Sequence, residues 1–479
     1  MSQINTYPAS DPRPKPLSNT ETTSSVDSER ITAIRKVRGG CSCDSAAPLH
    51  HALVVELRIL RLRIEAMKKL VLVLAAGLAF AAEPDGLVLP PGFHATIVSE
   101  GLGPIRHLAV RPNGDLYIST PVDRQNKGSG IIALHLDGNH KADRVEHFGQ
   151  VAGGTGIRFY KDALYAASGT GVYRFNFADK GALLPGKDPD IIIDGMPAAH
   201  PGFARANVAL AFDNKGNLYV ALEASANLCT DPKAPQGAPA TGLKPCPDLA
   251  QRAGVWRFKA NKTGQRFPTD GEQLATGIRD ISALDWSAAD GHLYGIMHGR
   301  DSTNRMFPNL VSAEDDNNIA DEMHRITKDT NFGWPYTYYD GARKLRLIAP
   351  EYGGDGKKAA PTSAYSTPIV TFQGPRAAPV DLLFYSGKKF PAEYRGGAFI
   401  VLHGTRNKNG YDVVFVPFNR EGKSGDAKVF ADGFAGFDKT GAMPGPAKYR
   451  PIGEAVGPDG ALYVGDSQKG RVWRIAYGE

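Results

Sequence analysis

The sequence predicts an all-β fold, a six-bladed β-propeller closed by an N-terminal strand, and two observations carry that expectation. First, an apolar strand, a turn with Asn-Gly, Asp-Gly or Lys-Gly, and a strand containing Leu-Tyr or its equivalent recur six times. Second, many of these units are followed by a short strand ending in aromatic or basic residues, as in GVYRF from Gly171, GVWRF from Gly254, EMHRI from Glu322, YDVVFVPF from Tyr411 and RVWRI from Arg471. A strand, hairpin and further strand repeating at roughly 50 residues is the trace left by propeller blades, whose four-stranded sheets bury their faces only against their neighbours. An open β-sandwich or two separate β domains is the alternative, and the regular Leu-Tyr pattern disfavours it.

Size and composition permit such a fold and exclude one class of function. A chain of 479 residues with 42% hydrophobic content buries a large core. From Ala82 onward it carries 45 basic and 43 acidic residues with no concentrated basic run, so nucleic-acid binding is set aside.

The chain then falls into three parts. Residues 67–81, beginning MKKLVLVLAAGLAFA, have the layout of a secretory signal: Lys68 and Lys69, an apolar run from Leu70, and small residues around an expected cleavage after Ala81. That run is short for crossing a bilayer, so no stable transmembrane span is expected in the mature chain, and the protein is placed in the periplasm or secreted. A buried helix or strand is the alternative. Residues 1–66 lie upstream of such a signal and are read as an over-extended or disordered leader. A long N-region or an anchor is the other option, since Leu53 to Ile64 has helical apolar character beside Arg58, Arg61 and Arg63.

Residues 82–479 form the propeller domain. The strand FHATIVSE from Phe93 precedes the first complete unit and is expected to complete the last blade, removing the exposed edges of an open ring. Tyr117, Tyr165, Tyr219, Tyr294, Phe399 and Tyr463 mark the six units. The intervals containing residues 219–294 and 294–399 are the longest, and their insertions are expected on one rim. The first holds Cys229 and Cys246 around a Pro/Gly/Lys-rich excursion; an exported protein with two cysteines bracketing one loop joins them as a disulfide, two buried thiols being the alternative. Without a Cys-x-x-Cys-His motif, covalent haem is not expected.

Chemistry is expected between Gly277 and Gly356, where strands such as Ile281 to Trp286 alternate with loops rich in Gly, Asp, Asn, Arg and aromatics. The pieces GIRD, HGRD, DE, NFGWPY and APEYGGDG, followed by PVDLLFYSG, FPAEYRGGAFIVLHGTRN and KYRPIGEAVGPDGALYVGDS, resemble the glucose/sorbosone dehydrogenase family. These are soluble pyrroloquinoline quinone (PQQ) sugar dehydrogenases on a six-bladed propeller. The likeness spans Leu89 to Ile475, and SANLC, KPCPDL and GVWRF are similar to the sorbosone-dehydrogenase-like subgroup.

PQQ carries three carboxylates and an ortho-quinone, so its site needs several cations, a divalent metal to polarise the quinone and a base for the sugar hydroxyl. The resemblance assigns the cofactor carboxylates to Arg279, to Lys448 and Arg450 of KYRP, and to Thr405 and Arg406 of HGTRN, with Asp280 where relatives often carry Asn. It assigns Ca²⁺ to main-chain carbonyls of Gly299 and Arg300, with Asp321 and Glu322 in support, and the sugar face to Phe332 and Trp334. Arg279, Lys448 and Arg450 have a plainer reading as structural ion-pair residues, and Phe332 and Trp334 as core. His298 is read as structural, while Asp301 and Asp355 are as suited to fixing turns as to holding metal.

One departure matters. The family's base histidine falls, counting back without gaps from NVALAFDNKGNLYV, on Arg205, and an arginine stays protonated near neutral pH. His200, five residues earlier, serves as base if the loop is rearranged. The resemblance thus implies an exported PQQ- and calcium-dependent dehydrogenase transferring hydride from an aldose, sorbosone-like or related sugar to the quinone, with the electron acceptor unknown. The rivals are a lactonase-like propeller with a channel-bound metal, and a non-catalytic propeller that binds a small ligand in the channel mouth.

Overall fold

The computed structural model describes residues 81–478 apart from 83–85, 122–129, 187, 198–206, 232, 234–239, 373–376, 405–409 and 437–446. The expected leader, most of the expected signal segment, His200, Arg205, Thr405 and Arg406 therefore lie outside the described residues.

Among the described residues six sheets of four or five strands, each built on an antiparallel four-stranded unit, follow one another along the chain. Their innermost strands are Leu108–Val110, Ile157–Tyr160, Val208–Phe212, Ile281–Ser287, Pro379–Phe384 and Pro451–Val456, and each touches the next around a closed ring. Phe93–Ser99 pairs antiparallel with Val472–Tyr477, so the N-terminal strand is the outer strand of the last blade, as the sequence predicts. Its Phe93 is 2% exposed and packs edge-on against Phe390, Phe430 and Tyr477, which ties the closing strand into the largest core cluster.

The recurrent tyrosine has a clear physical role. Each ring is buried on the second strand of its blade, and its hydroxyl needs a partner once desolvated. Tyr117 donates to the Leu183 carbonyl at 2.8 Å and Tyr165 to the Ala260 carbonyl at 2.9 Å, both in the following blade. Tyr219 and Tyr294 instead donate to Asp213 and Asp290 at the turns of their own blades, so the ring fills the gap in each case, while the polar tip ties sheets together at Tyr117 and Tyr165.

Two blades exceed the four strands expected. Gln265–Arg266 adds in parallel to Asp190–Asp194, and Thr330–Asn331 adds in parallel to Glu272–Thr276. In both cases a short piece of the next unit covers an edge strand, which satisfies main-chain groups otherwise open to unwanted pairing.

The insertions of the third and fourth blades pack on each other. The first is stapled by the Cys229–Cys246 disulfide. The second carries short helices at Thr303–Met306 and Ala313–Asn317 and a hairpin of Thr337–Asp340 with Leu345–Ile348. Tyr352 donates to the carbonyls of Cys229 (3.2 Å) and Leu243 (3.0 Å), and the Cys246 N–H donates to the Tyr336 hydroxyl at 3.2 Å. Among the described residues no helix is long and apolar enough to cross a membrane.

Candidate functional site

Where the inner strands begin, the chain must turn from a loop into the channel wall, and four blades set a polar side chain at that turn. Arg106, Asn207, Arg279 with Asp280, and Arg450 each lie within two residues before an inner strand. The ends of two second strands face them with His298–Gly299 and His403–Gly404. Main-chain bonds lock the two sets together: His298 N–H to the Asp280 carbonyl at 2.9 Å, His403 N–H to Ala378 at 2.9 Å, and Ser467 N–H to Arg450 at 2.9 Å. Gly277 makes the approach to Arg279 possible. Its φ is +77°, and a Cβ there would lie 2.7 Å from the Gly333 nitrogen.

These residues enclose a cavity of about 360 Å³, whose wall also includes Ser282, Asp301, Asp321 and Val380. Three guanidiniums converge on it. Arg106 donates to Asn207 Oδ1 at 3.2 Å. Arg279 donates from Nε to Asn227 Oδ1 and from Nη1 to the Gly299 carbonyl, both at 2.8 Å, and from Nη2 to Asp301. Arg450 donates to His403 Nδ1 at 2.9 Å and to the Gly404 carbonyl. The Nε2 of His403 lies 2.9 Å from Ser467 Oγ, so the ring is held from both sides and props Arg450.

His298 is the fourth cation. Burial opposes its charge, but Asp280 beside Nδ1 at 3.4 Å, Asp321, and the Pro379 carbonyl at 2.6 Å from Nε2 push its pKa up to about 9. Asp321 accepts from the N–H groups of Gly299 (2.8 Å) and Ala378 (3.2 Å), and burial raises its pKa against these contacts and His298. Asn207 bridges Glu223 Oε2 at 2.9 Å and Asp280 Oδ1 at 3.0 Å.

Below the cavity the channel carries a second ionic layer. Arg158 holds Asp381 at 2.7 Å, and the Glu454 N–H donates to the other Asp381 oxygen at 3.0 Å. His107 lies 3.6 Å from Asp381, yet burial keeps its pKa down at about 4. The fully buried Glu454 carboxyl has no partner among the described residues, and burial beside Asp381 raises its pKa.

The structure divides the sequence candidates. Arg279, Asp280, Gly299, Asp321 and Arg450 meet on one cavity, together with the expected turn residue Asp301. Lys448 does not: it is exposed, with Nζ 5.4 Å from the ring of Tyr449, which is itself buried in the core against Trp473. Glu322 follows Asp321 on one strand and so faces the other side, where it pairs with Arg346 and with His324 at 3.1 Å. The Arg300 guanidinium is buried on Glu351, away from the cavity wall. The expectation that Phe332 and Trp334 roof a sugar pocket is corrected. They are 0% and 1% exposed and belong to the core under the insertion, the Phe332 ring lying tilted with its centroid 4.2 Å from that of His324. Asp355 caps the turn at Lys357 and Lys358.

Arg106, His403 and Asn207 escaped the sequence reading. The signal for Arg106 was internal: Ile105-Arg106-His107-Leu108 stands before its inner strand as Ile278-Arg279-Asp280-Ile281 does before the fourth. Among the described residues no three His, Cys, Asp or Glu side chains gather as a metal cluster; the oxygen that the expected calcium site would use on this wall is the Gly299 carbonyl, already bonded to Arg279.

The family model described as TrAA12-like matches residues 87–478. Among solved structures the chain is similar to the holo form of the pyranose dehydrogenase PQQ domain from Coprinopsis cinerea, with a TM-score of 0.63 and 16% identity, covering 81% of this chain and 97% of that one. It is also similar to the calcium structure of a Trichoderma reesei Carbohydrate-Active Enzymes Family AA12 protein (TM-score 0.64, 15% identity, 84% and 98% covered). The apo soluble aldose sugar dehydrogenase of Escherichia coli gives 0.52 and 16%, with 80% and 99% covered. At such identities these likenesses bear on the fold. Among curated sequences, an uncharacterized protein of Borreliella burgdorferi is 26% identical over 212 residues, 43% of this chain; the chain spans about half, 49%, of that relative's length.

Proposed function

Because the chain belongs to the TrAA12-like family, we propose that it is a sugar-oxidising quinoprotein dehydrogenase that binds PQQ in the cavity at the channel mouth. The observation that carries this reading is the convergence of Arg106, Arg279, Arg450 and a protonated His298 on one small cavity. Such a donor set suits a flat tricarboxylate, since planar guanidiniums bind carboxylates in a fixed fork geometry. The solved pyranose dehydrogenase domain named for PQQ supports the same reading at the level of fold.

When bound, PQQ would supply an ortho-quinone able to accept hydride from a carbinol carbon. This chain's residues do the rest. Arg106, Arg279 and Arg450 would hold the carboxylates. Asp280 and Asp321 keep His298 charged; with both its N–H groups directed at Asp280 and the Pro379 carbonyl, it adds positive charge to the wall rather than a free donor. The proton acceptor is assigned to His200, the one of the two candidate positions whose side chain can be neutral. The Gly299 carbonyl, the wall oxygen expected to hold calcium, accepts from the Arg279 guanidinium, and among the described residues no side chains gather as a cage, so these residues do not fit the ion and no step is assigned to it. The disulfide supports export to an oxidising compartment.

Purified protein mixed with PQQ and Ca²⁺ is expected to bind the quinone and reduce a dye with an aldose. Absence of PQQ binding overturns the proposal. Tight binding without reduction by any sugar favours the second reading, a binding propeller, to which Arg205 at the base position points.

A further inference from the structure

Asn227 is not on the cavity wall, yet its side chain is joined to two residues that are. Its Oδ1 accepts from Arg279 Nε at 2.8 Å and from the Asp301 N–H at 2.9 Å, while its Nδ2 donates to the Asp301 carbonyl at 2.7 Å. The Asn227 carbonyl in turn accepts from the buried Trp334 Nε1 at 3.0 Å, and Cys229, two residues on, fastens the loop through its disulfide. With Nη1 on Gly299 and Nη2 on Asp301, all three nitrogens of Arg279 have protein partners. The unused N–H groups of the two terminal nitrogens are left for a ligand.

We infer that Asn227 is a positioning residue for the cofactor site: its amide sets the Arg279 guanidinium in the orientation that receives a carboxylate, and clamps the Asp301 backbone beside it. The inference rests on the proposed role of Arg279 as a PQQ carboxylate partner. Only an amide of this length meets the demand. Aspartate lacks the donor for the Asp301 carbonyl, leucine lacks both functions, and glutamine is a methylene too long. The buried Trp334, expected to face sugar, instead anchors the main chain that presents Asn227.

The test is equilibrium binding of PQQ to full-length wild type, Asn227→Ala, Arg279→Lys and the double variant, with thermal unfolding of each in parallel. Asn227→Ala is expected to weaken binding about tenfold or more, the scale of a hydrogen bond to a charged group. It should add little to Arg279→Lys, because a residue acting through another is not additive with it. Wild-type affinity in Asn227→Ala, or full additivity in the double variant, overturns the inference; loss of binding in Arg279→Lys in that case keeps the functional reading intact. If wild type binds no PQQ, both fall. Should Asn227→Ala not fold, Asn227→Ser, too short to reach Arg279, is compared in the same way.

Discussion

Replacing His107 with glutamine tests the ionic layer beneath the cavity. The imidazole is 1% exposed, and its nearest carboxylate, Asp381, is already engaged by Arg158 at 2.7 Å. Desolvation therefore wins over Asp381, with Arg158 and Arg106 adding to it, and the pKa falls from the ordinary 6.5 to about 4. The sign follows from proton counting. Between these two values the unfolded chain binds a proton that the folded chain refuses, so stability present above pH 6.5 is lost as pH falls towards 4. Between pH 7 and pH 4.5 the loss attributable to this group is about 2.5 kcal/mol, a little under two pKa units at 1.36 kcal/mol each. Asp285, pushed up to about 6 by burial, acts oppositely from 3.8 to 6 and flattens the wild-type curve, which is why the comparison with a variant is needed. Guanidinium unfolding of both proteins at the two pH values supplies the assay. Glutamine does not titrate, so the wild-type advantage should shrink by that amount in acid. Parallel stabilities, within about 0.5 kcal/mol at both pH values, refute the argument that the imidazole is held neutral by burial.

Three further outcomes follow from the geometry. Arg106→Ala is expected to weaken PQQ binding by about 10- to 100-fold, the cost of a charge-assisted contact, as measured by titration with the quinone; unchanged affinity removes it from the site. Trp334→Ala should destabilise the fold by about 3–5 kcal/mol in chemical unfolding, as expected for a fully buried aromatic ring. A selective rise in sugar KM without that loss would restore its expected place against substrate. Replacing Cys229 and Cys246 together with serine should cost about 3 kcal/mol, from the entropy of a loop of this length, read as a lower midpoint in thermal unfolding.

Fold and site were legible to different degrees, for physical reasons. The blades announce themselves because Tyr117, Tyr165 and their counterparts each fill an inter-blade gap with an aromatic ring, and Tyr117 and Tyr165 also satisfy a buried hydroxyl across it, whereas Phe399 keeps only the ring. The closing strand follows because an open ring leaves edges. The parallel cover strands at Gln265–Arg266 and Thr330–Asn331 are two residues long, and their pairing is set by tertiary contact, so no period betrays them. Within the site, a motif read along the chain finds Arg279 and Arg450 but not which neighbour faces inward. Of Lys448 and Tyr449, the aromatic ring, which gains more from burial, packs into the core against Trp473, and the lysine is left exposed. Arg106 belongs to no motif and is visible only when the first inner strand is laid against the fourth.

The charge pattern of the cavity explains how so many cations coexist before a ligand arrives. Arg106, Arg279, Arg450 and His298 face Asp280, Asp301 and Asp321, so the wall is close to neutral. A tricarboxylate is therefore not drawn in by net charge. It gains by taking up directed N–H groups that the protein has already oriented, and by exchanging contact with water for contact with a preorganised wall. On that account geometry outranks charge at each position. A lysine at Arg279 keeps the charge but has no Nε–H to meet Asn227 and no fork to meet a carboxylate. The insertion of the third blade, stapled by a disulfide and pinned by Trp334, then serves the site by fixing one amide, which gives a loop with little core of its own a reason to be held so firmly.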